Sequence, residues 1–299
     1  MNPSLQNCTV CPRKCGVDRT VHAGYCGATD KVEISKIMLH QWEEPCISGI
    51  DKSRGSGAVF FTHCPLGCVY CQNRDISRRS CIGKVYTIDE LAEALLRLQS
   101  DGVYNINLVS PTHYTPQIIE AVRIARKNGL TLPVVWNTGG YELPETIESL
   151  RGTVDIFLTD FKYASPETAK LYSAAEDYPE TAAQSLAKMH ELAETCKFDE
   201  NGMMLRGIII RHLILPGHRS DSVAVLRKIA ETVPVDDVKL SLMAQYTPEF
   251  LDPVEKYKKI GRKITSFEYR TVLDEAERLG FDGYSQERTA ATKKYTPDF

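Results

Sequence analysis

No apolar run in this 299-residue chain approaches the roughly 20 residues needed to cross a bilayer, so a membrane-spanning helix is not expected. Excess charge is missing too: 36 Lys and Arg face 39 Asp and Glu, a net charge of -3. That balance gives no footprint for nucleic acid or for an anionic membrane surface. The opening stretch, MNPSLQNCTVCPRKC, lacks the apolar h-region of a secretory signal. A cytoplasmic protein is the expectation, and structural disulfides are not.

Cysteine is abundant by contrast, with ten residues, seven of them in two tight groups. Clusters in a chain with no export signal point to metal rather than to disulfides. The first group, Cys8, Cys11, Cys15 and Cys26, reads C-x2-C-x3-C-x10-C. Its segment has too few apolar residues for a core, so a metal would have to organise it. Four thiolates suit either structural zinc or a second iron–sulfur cluster, and the spacing does not choose between them. The second group lies in THCPLGCVYCQN, where Cys64, Cys68 and Cys71 form C-x3-C-x2-C with Pro65 and Gly67 bending the backbone between them. Three thiolates so close can hold a soft metal or an iron–sulfur cluster. A cubane on three cysteines leaves one iron open to bind something else. Cys46, Cys81 and Cys196 stand apart and read as small buried hydrophobes.

From Ala58 the pattern is regular. Six apolar runs, AVFFT, INLV, PVVWN, VDIFLTD, GIIIRHLIL and VKLSLM, alternate with helix signals. Thr87 and Glu90 make a capping box, Pro116 opens a helix that stops at Gly129, Ser165-Pro166 caps another, and Phe267 to Leu279 closes at Gly280. Ahead of them VEISKIML reads as a strand, and Gly55 and Gly57 either let the backbone approach a ligand or relax a surface loop. Alternating strands and helices imply βαβ units and a parallel sheet. Six units are too few for a closed eight-stranded barrel, so the expected α/β fold is a partial (β/α)6 barrel. It would span residues 51–250, behind a cysteine-rich segment over 1–50 and ahead of a helical extension over 251–299.

Chemistry in such barrels sits at the C-terminal strand ends. The cysteine loop follows the first strand, and Ser110, Thr112, His113, Asn137, Thr138, Asp160, Lys162, Gln245 and Tyr246 follow later ones, on the same rim. Asp160 and Lys162, two apart, share a strand face. An arginine inside an apolar strand is costly unless paired, which marks Arg211 as functional. His212 points the other way and reads as structural, while His113 either touches substrate or caps the next helix.

The C-x3-C-x2-C loop directly after a strand, with Tyr70 just before its third cysteine, resembles the radical S-adenosylmethionine superfamily. Through EEPCISG (Glu43 to Gly49), SPTHYTP, PVVWNTGGY, DIFLTDFKY, IRHLILPG and SLMAQYTP the chain is similar to the pyruvate formate-lyase-activating-enzyme-like branch over nearly its whole length. The resemblance implies a [4Fe-4S] cluster on Cys64, Cys68 and Cys71 whose open iron is chelated by S-adenosylmethionine. One electron would cleave the sulfonium to a 5′-deoxyadenosyl radical that takes hydrogen from a substrate, which for the activating enzymes is a glycyl radical enzyme. A flavodoxin or ferredoxin would deliver the electron. Tyr70 would lie by the adenine, Arg211 would contact the cofactor, and Lys162 would pair with its carboxylate. Two positions depart from the branch. Ser110-Pro111-Thr112 stands where relatives carry Gly-Gly-Glu for the cofactor's amino group, leaving Ser110, Thr112 or backbone carbonyls to accept those bonds. Asn137-Thr138 replaces an Asp-Thr pair that forms a monovalent cation site with the aspartate at Asp160, and the histidine that follows Tyr246 in relatives is absent. The competing readings are a non-catalytic iron–sulfur electron carrier and a zinc-stabilised binding protein. Both leave the rim residues idle.

Overall fold

The computed structural model describes residues 5–50, 54–77, 83–251 and 254–286. Its elements are, in chain order, β1 (Val32–His40), α1 (Pro45–Ser48), β2 (Ser56–Phe61), α2 (Arg74–Ser77), β3 (Lys84–Tyr86), α3 (Ile88–Ser100), β4 (Ile106–Val109), α4 (Thr115–Lys127), β5 (Val134–Thr138), α5 (Pro144–Ser149), β6 (Ile156–Asp160), α6 (Pro166–Ser173), α7 (Tyr178–Ala193), β7 (Lys197–Phe198), β8 (Met204–Leu213), α8 (Arg219–Thr232), β9 (Lys239–Met243), α9 (Ser266–Leu279) and β10 (Gly283–Ser285).

One sheet runs β10-β9-β8-β6-β5-β4-β2-β1-β3, with β7 paired to β8 beside it. The neighbours from β2 to β10 are all parallel, whereas β1 is antiparallel to both β2 and β3. The strand order does not close, so the parallel part is the expected partial barrel, one strand longer at β10 than the six apolar runs suggest. Every residue of β2 and β4 is buried, as continuous apolar strands covered on both faces must be. The helices meet the sheet through single apolar stripes. In α3, Leu91, Ala92, Leu95 and Leu98 face inward, after Thr87 and Glu90 have closed the capping box. Leu95, Ile118, Trp136, Phe157 and Ile210 belong to the main core, while Val272 and Ala276 of α9 pack on Leu240 and Leu242 of β9 as a second cluster.

Register sets up the rim. Val109 pairs with Asn137, Asp160 with Arg211, and Arg211 with Ser241, which places these side chains in adjoining rows across β4, β5, β6, β8 and β9. At β10 the chain needs glycine: Gly283 has φ +151, and a Cβ there would lie 1.9 Å from the carbonyl oxygen of Leu240. Gly55 and Gly57 serve neither a ligand nor a loose surface loop. Both are buried, and a Cβ on them would press to 2.7 Å from the His40 carbonyl and 3.1 Å from that of Asn105. They let β2 run close against its neighbours. No helix among the described residues is long and apolar enough to cross a membrane.

Candidate active site

After β2 the chain turns sharply at His63, whose φ is +69, and its N–H donates to the Ile76 carbonyl at 2.6 Å. This folds residues 64–73 back over the end of the barrel. Cys64, Cys68 and Cys71 line one cavity of about 600 Å³ together with Ser110, Asn137, Thr138, Asp160, Lys162, Arg211 and Gln245. Of the expected rim, only Thr112, His113 and Tyr246 fall outside it. The volume lies in the range of small-molecule sites.

Donor chemistry fits a thiolate-bound cluster. Burial pushes the Cys64 thiol up, and Cys68 and Cys71 raise it further. Burial also raises Cys68, against the pull of Lys162. Groups that resist ionising singly in a desolvated site are stabilised as thiolates by a cation between them. Two serines already aim at sulfur: Ser77 Oγ donates to Cys71 Sγ at 3.4 Å, and Ser173 Oγ lies 3.0 Å from Cys68 Sγ. Tyr70 lines the same cavity.

Lys162 Nζ makes an ion pair with Asp160 Oδ2. Burial opposes the ammonium, but Asp160 and then Cys68 outweigh it and hold the group well above its ordinary range. Arg211 is the centre of a triad. Its Nε donates to Glu44 Oε1 at 2.8 Å, its Nη2 to Glu44 Oε2 at 2.5 Å and also to Glu43 Oε2. Glu43 Oε1 accepts from Asn107 Nδ2 at 2.7 Å and Asn137 Nδ2 at 3.3 Å. Burial would raise the Glu43 carboxyl; the Arg211 charge beside it wins and holds it low. The two glutamates were visible only as part of the EEPCISG stretch. Their inward aim depends on the connection after β1 dropping into the barrel mouth, which no periodicity signals.

Asn137 therefore bonds a carboxylate rather than facing a cation. Thr138 Oγ1 donates at 2.5 Å to Glu142 Oε1, which also accepts from Thr112 Oγ1 at 2.7 Å and Trp136 Nε1 at 3.2 Å. Thr112 thus ties down Glu142, a fully buried acid that burial pushes up to about 7. Ser110 sits at φ +57, with its N–H on the Asn137 carbonyl at 2.9 Å. His113 neither faces the cavity nor caps a helix: its Nε2 lies 2.8 Å from the Thr62 carbonyl, inside the protein. His212 is buried on the opposite face with Nδ1 2.7 Å from the Phe161 carbonyl, as a structural histidine should be. Tyr246 donates to the Ile260 carbonyl at 2.6 Å and packs edgewise on Tyr70.

The N-terminal cysteines gather as well. Cys11 is surrounded by Cys26 and Cys8, and a Cβ on Gly24 would lie 3.6 Å from the sulfurs of both Cys15 and Cys26. Arg19, fully buried beside them, donates to the carbonyls of Ala28 at 3.2 Å, His113 at 2.5 Å and Thr29 at 2.5 Å, with Nη1 3.9 Å from Cys8 Sγ. Among the described residues no three His, Cys, Asp or Glu side chains close to the mutual distances of a single bound ion, and this holds for both cysteine groups alike. Cys46 is buried in an apolar cluster, as expected, whereas Cys196 is half-buried at its edge with its thiol on the Asp237 carbonyl at 3.3 Å; Cys81 lies outside the described residues.

The partial parallel barrel carries its three-thiol loop at the end of β2, the first of its parallel strands, a frame suited to a thiolate-bound cofactor. Residues 58–198 of the chain, just under half of it, match the family model of the radical SAM superfamily. The uncharacterized protein MJ0674 of Methanocaldococcus jannaschii is 30% identical over 290 residues, covering 93% of this chain and 76% of that protein. In fold the chain is similar to a radical SAM methyltransferase from Sphaerobacter thermophilus, with TM-score 0.52 and 12% identity over 79% of this chain and 67% of that one. It is also similar to Streptococcus suis SuiB bound to its precursor peptide SuiA, with TM-score 0.50 and 12% identity over 75% of this chain. The match spans 46% of the SuiB chain, under half its length.

Proposed function

We propose that the chain is a radical S-adenosylmethionine enzyme with its cluster on Cys64, Cys68 and Cys71 and its cofactor and substrate in the adjoining cavity. The observation that carries this reading is the opening of three cysteine thiols onto the same cavity as Lys162 and Arg211. Bound there, a [4Fe-4S] cluster and S-adenosylmethionine would supply one-electron cleavage of the sulfonium and, from it, abstraction of hydrogen from a substrate. The chain's own residues position and exclude water. Lys162, paired with Asp160 and close to Cys68, offers an ammonium to an incoming carboxylate. Arg211 is committed to Glu43 and Glu44, so its part is to hold the barrel mouth in shape beside the cavity it lines.

The electron comes from a flavodoxin or ferredoxin in the cytoplasm. Anaerobic reconstitution with iron, sulfide, cofactor and reductant tests the reading: 5′-deoxyadenosine is expected. Iron-loaded protein that leaves the cofactor intact is an electron carrier, and colourless protein holding only zinc is a binding module. Within the enzyme reading, the run of motifs from Glu43 to Tyr246 supports activation of a glycyl radical enzyme. A glycyl EPR doublet on a candidate partner is then expected, and its absence under turnover removes that narrower assignment.

The N-terminal thiols hold a second metal in the same reading. What supports it is Arg19, a buried guanidinium with no carboxylate within ion-pair distance among the described residues, beside four cysteines. A four-thiolate metal centre would provide its countercharge. Metal analysis of the variant with Cys64, Cys68 and Cys71 all changed to Ala separates the cases. About four irons per chain marks a cluster, one zinc a structural ion, and neither removes the site.

A further inference from the structure

Behind the cysteine loop runs a buried line of hydroxyls that the proposed function does not use. Ser173, at the end of α6, places Oγ 3.0 Å from Cys68 Sγ; Tyr163 Oη lies 2.7 Å from that Oγ; and Tyr70 Oη lies 2.5 Å from Tyr163 Oη. Ser173 and Tyr163 are wholly buried, and Tyr70 nearly so. Their placement is firmly held. The Val69 N–H donates to the Tyr172 carbonyl at 2.9 Å, fixing the loop to the end of α6. Arg13 bridges the same elements, from Pro65 O at 2.9 Å to Ala174 O at 2.6 Å and Ser173 O at 3.3 Å.

Each of the three hydroxyls has one proton to give, and a metal-bound cysteine sulfur has none. If Cys68 is a ligand, Ser173 must donate to its sulfur. Ser173 then has only an acceptor left for Tyr163, and Tyr163 only an acceptor left for Tyr70. All three protons point toward Cys68, and such aligned chains strengthen one another.

We propose that Ser173, oriented by Tyr163 and Tyr70, is a positioning residue that raises the reduction potential of the metal centre held by Cys68. The inference rests on the cluster assignment above. Reduction adds negative charge that the ligand sulfurs share, and a hydrogen bond to a sulfur stabilises the reduced form more than the oxidised one. The chain also begins at Tyr70, in the wall of the cavity, so the group beside the ligand is the group at the far end of the line.

The test is an EPR-monitored redox titration of the full-length, anaerobically reconstituted protein. Ser173→Ala should lower the midpoint potential, with the reduced fraction at fixed potential falling about tenfold, a 59 mV shift for one electron. Ser173→Thr, which keeps the hydroxyl, should restore it. Tyr163→Phe should give a smaller shift of the same sign, and none when added to Ser173→Ala, because it acts only through the serine. An unchanged midpoint in Ser173→Ala at wild-type iron content overturns the proposal. So does an equal Tyr163→Phe shift in both backgrounds. Should Ser173→Ala lose its iron, Tyr163→Phe, which leaves the sulfur untouched, decides: a midpoint equal to wild type refutes the chain. Wild-type protein that assembles no cluster instead refutes the parent reading.

Discussion

Arg211→Met is the sharpest probe of how the barrel mouth is built. The substitution keeps the length of the side chain but leaves Glu43 and Glu44 facing each other with side-chain exposures of 7% and 6%. Removing one partner from a buried ion pair costs about 3–5 kcal/mol, since the remaining charge is desolvated and unpaired. For a chain of this size each kcal/mol moves the melting temperature by roughly 2–4 °C, so a fall of about 10 °C at pH 8 is expected. In wild type Arg211 holds the Glu43 carboxyl low. Without it, burial raises that carboxyl above its unfolded value, so the folded variant binds a proton that the unfolded chain has released. Its stability therefore improves as pH falls, and the deficit should shrink by pH 5. The triple variant with Glu43→Gln and Glu44→Gln added should recover most of the loss, because a neutral set has no stranded charge. Differential scanning calorimetry on metal-free protein measures all of this. An Arg211→Met melt within 2 °C of wild type at pH 8, or the same deficit at both pH values, would refute the reasoning (the threshold being about one kcal/mol).

Three further outcomes follow from the geometry. Glu142 is pushed up to about 7 from 4.5, so the fold holds its proton where the unfolded chain loses it. Stability should then decline by about 3 kcal/mol as pH rises from 4.5 to 7, and urea midpoints of Glu142→Gln should be flatter over that window. Lys162→Met in reconstituted protein should weaken S-adenosylmethionine binding about tenfold or more, as read by calorimetry, with iron content unchanged. Gly140 has φ +76, and a Cβ there would lie 2.1 Å from the Asp160 carbonyl oxygen. Gly140→Ala should therefore lower the melting temperature by several degrees, from about 1–2 kcal/mol of backbone strain plus displacement of the Asp160 strand end.

Much of this architecture is legible in the amino-acid sequence. β2, β4, β5, β6, β8 and β9 are apolar enough on both faces to stand out, and each ends in polar residues that the parallel arrangement must bring to one rim. β10 was not, because a three-residue strand, Gly-Tyr-Ser, carries no periodicity and exists only through its pairing with β9. β3 was missed for the same reason. Within the site, strand-end position found Asp160, Lys162 and Arg211, but could not show what each would meet. Glu43 and Glu44 lie in a connection, and their direction is set by where that connection packs. Thr112 and His113 follow a strand as expected, yet a tight turn carries them away from the cavity, to Glu142 and to the Thr62 carbonyl. Ser173 sits at the end of a helix after β6, distant in sequence from the loop it serves, and no spacing rule reaches it.

The carboxylates and cations lining the cavity, leaving aside His40, the tyrosines and the thiols, are Glu43, Glu44 and Asp160 against Lys162 and Arg211, three against two. The pocket thus carries a negative field before any thiolate is counted, in a concave, weakly screened space that concentrates it. A sulfonium enters down that gradient, whereas a phosphorylated or polycarboxylate substrate must climb it. Ionic strength becomes a discriminator of its own: added salt should slow capture of a cationic ligand and leave a neutral one untouched.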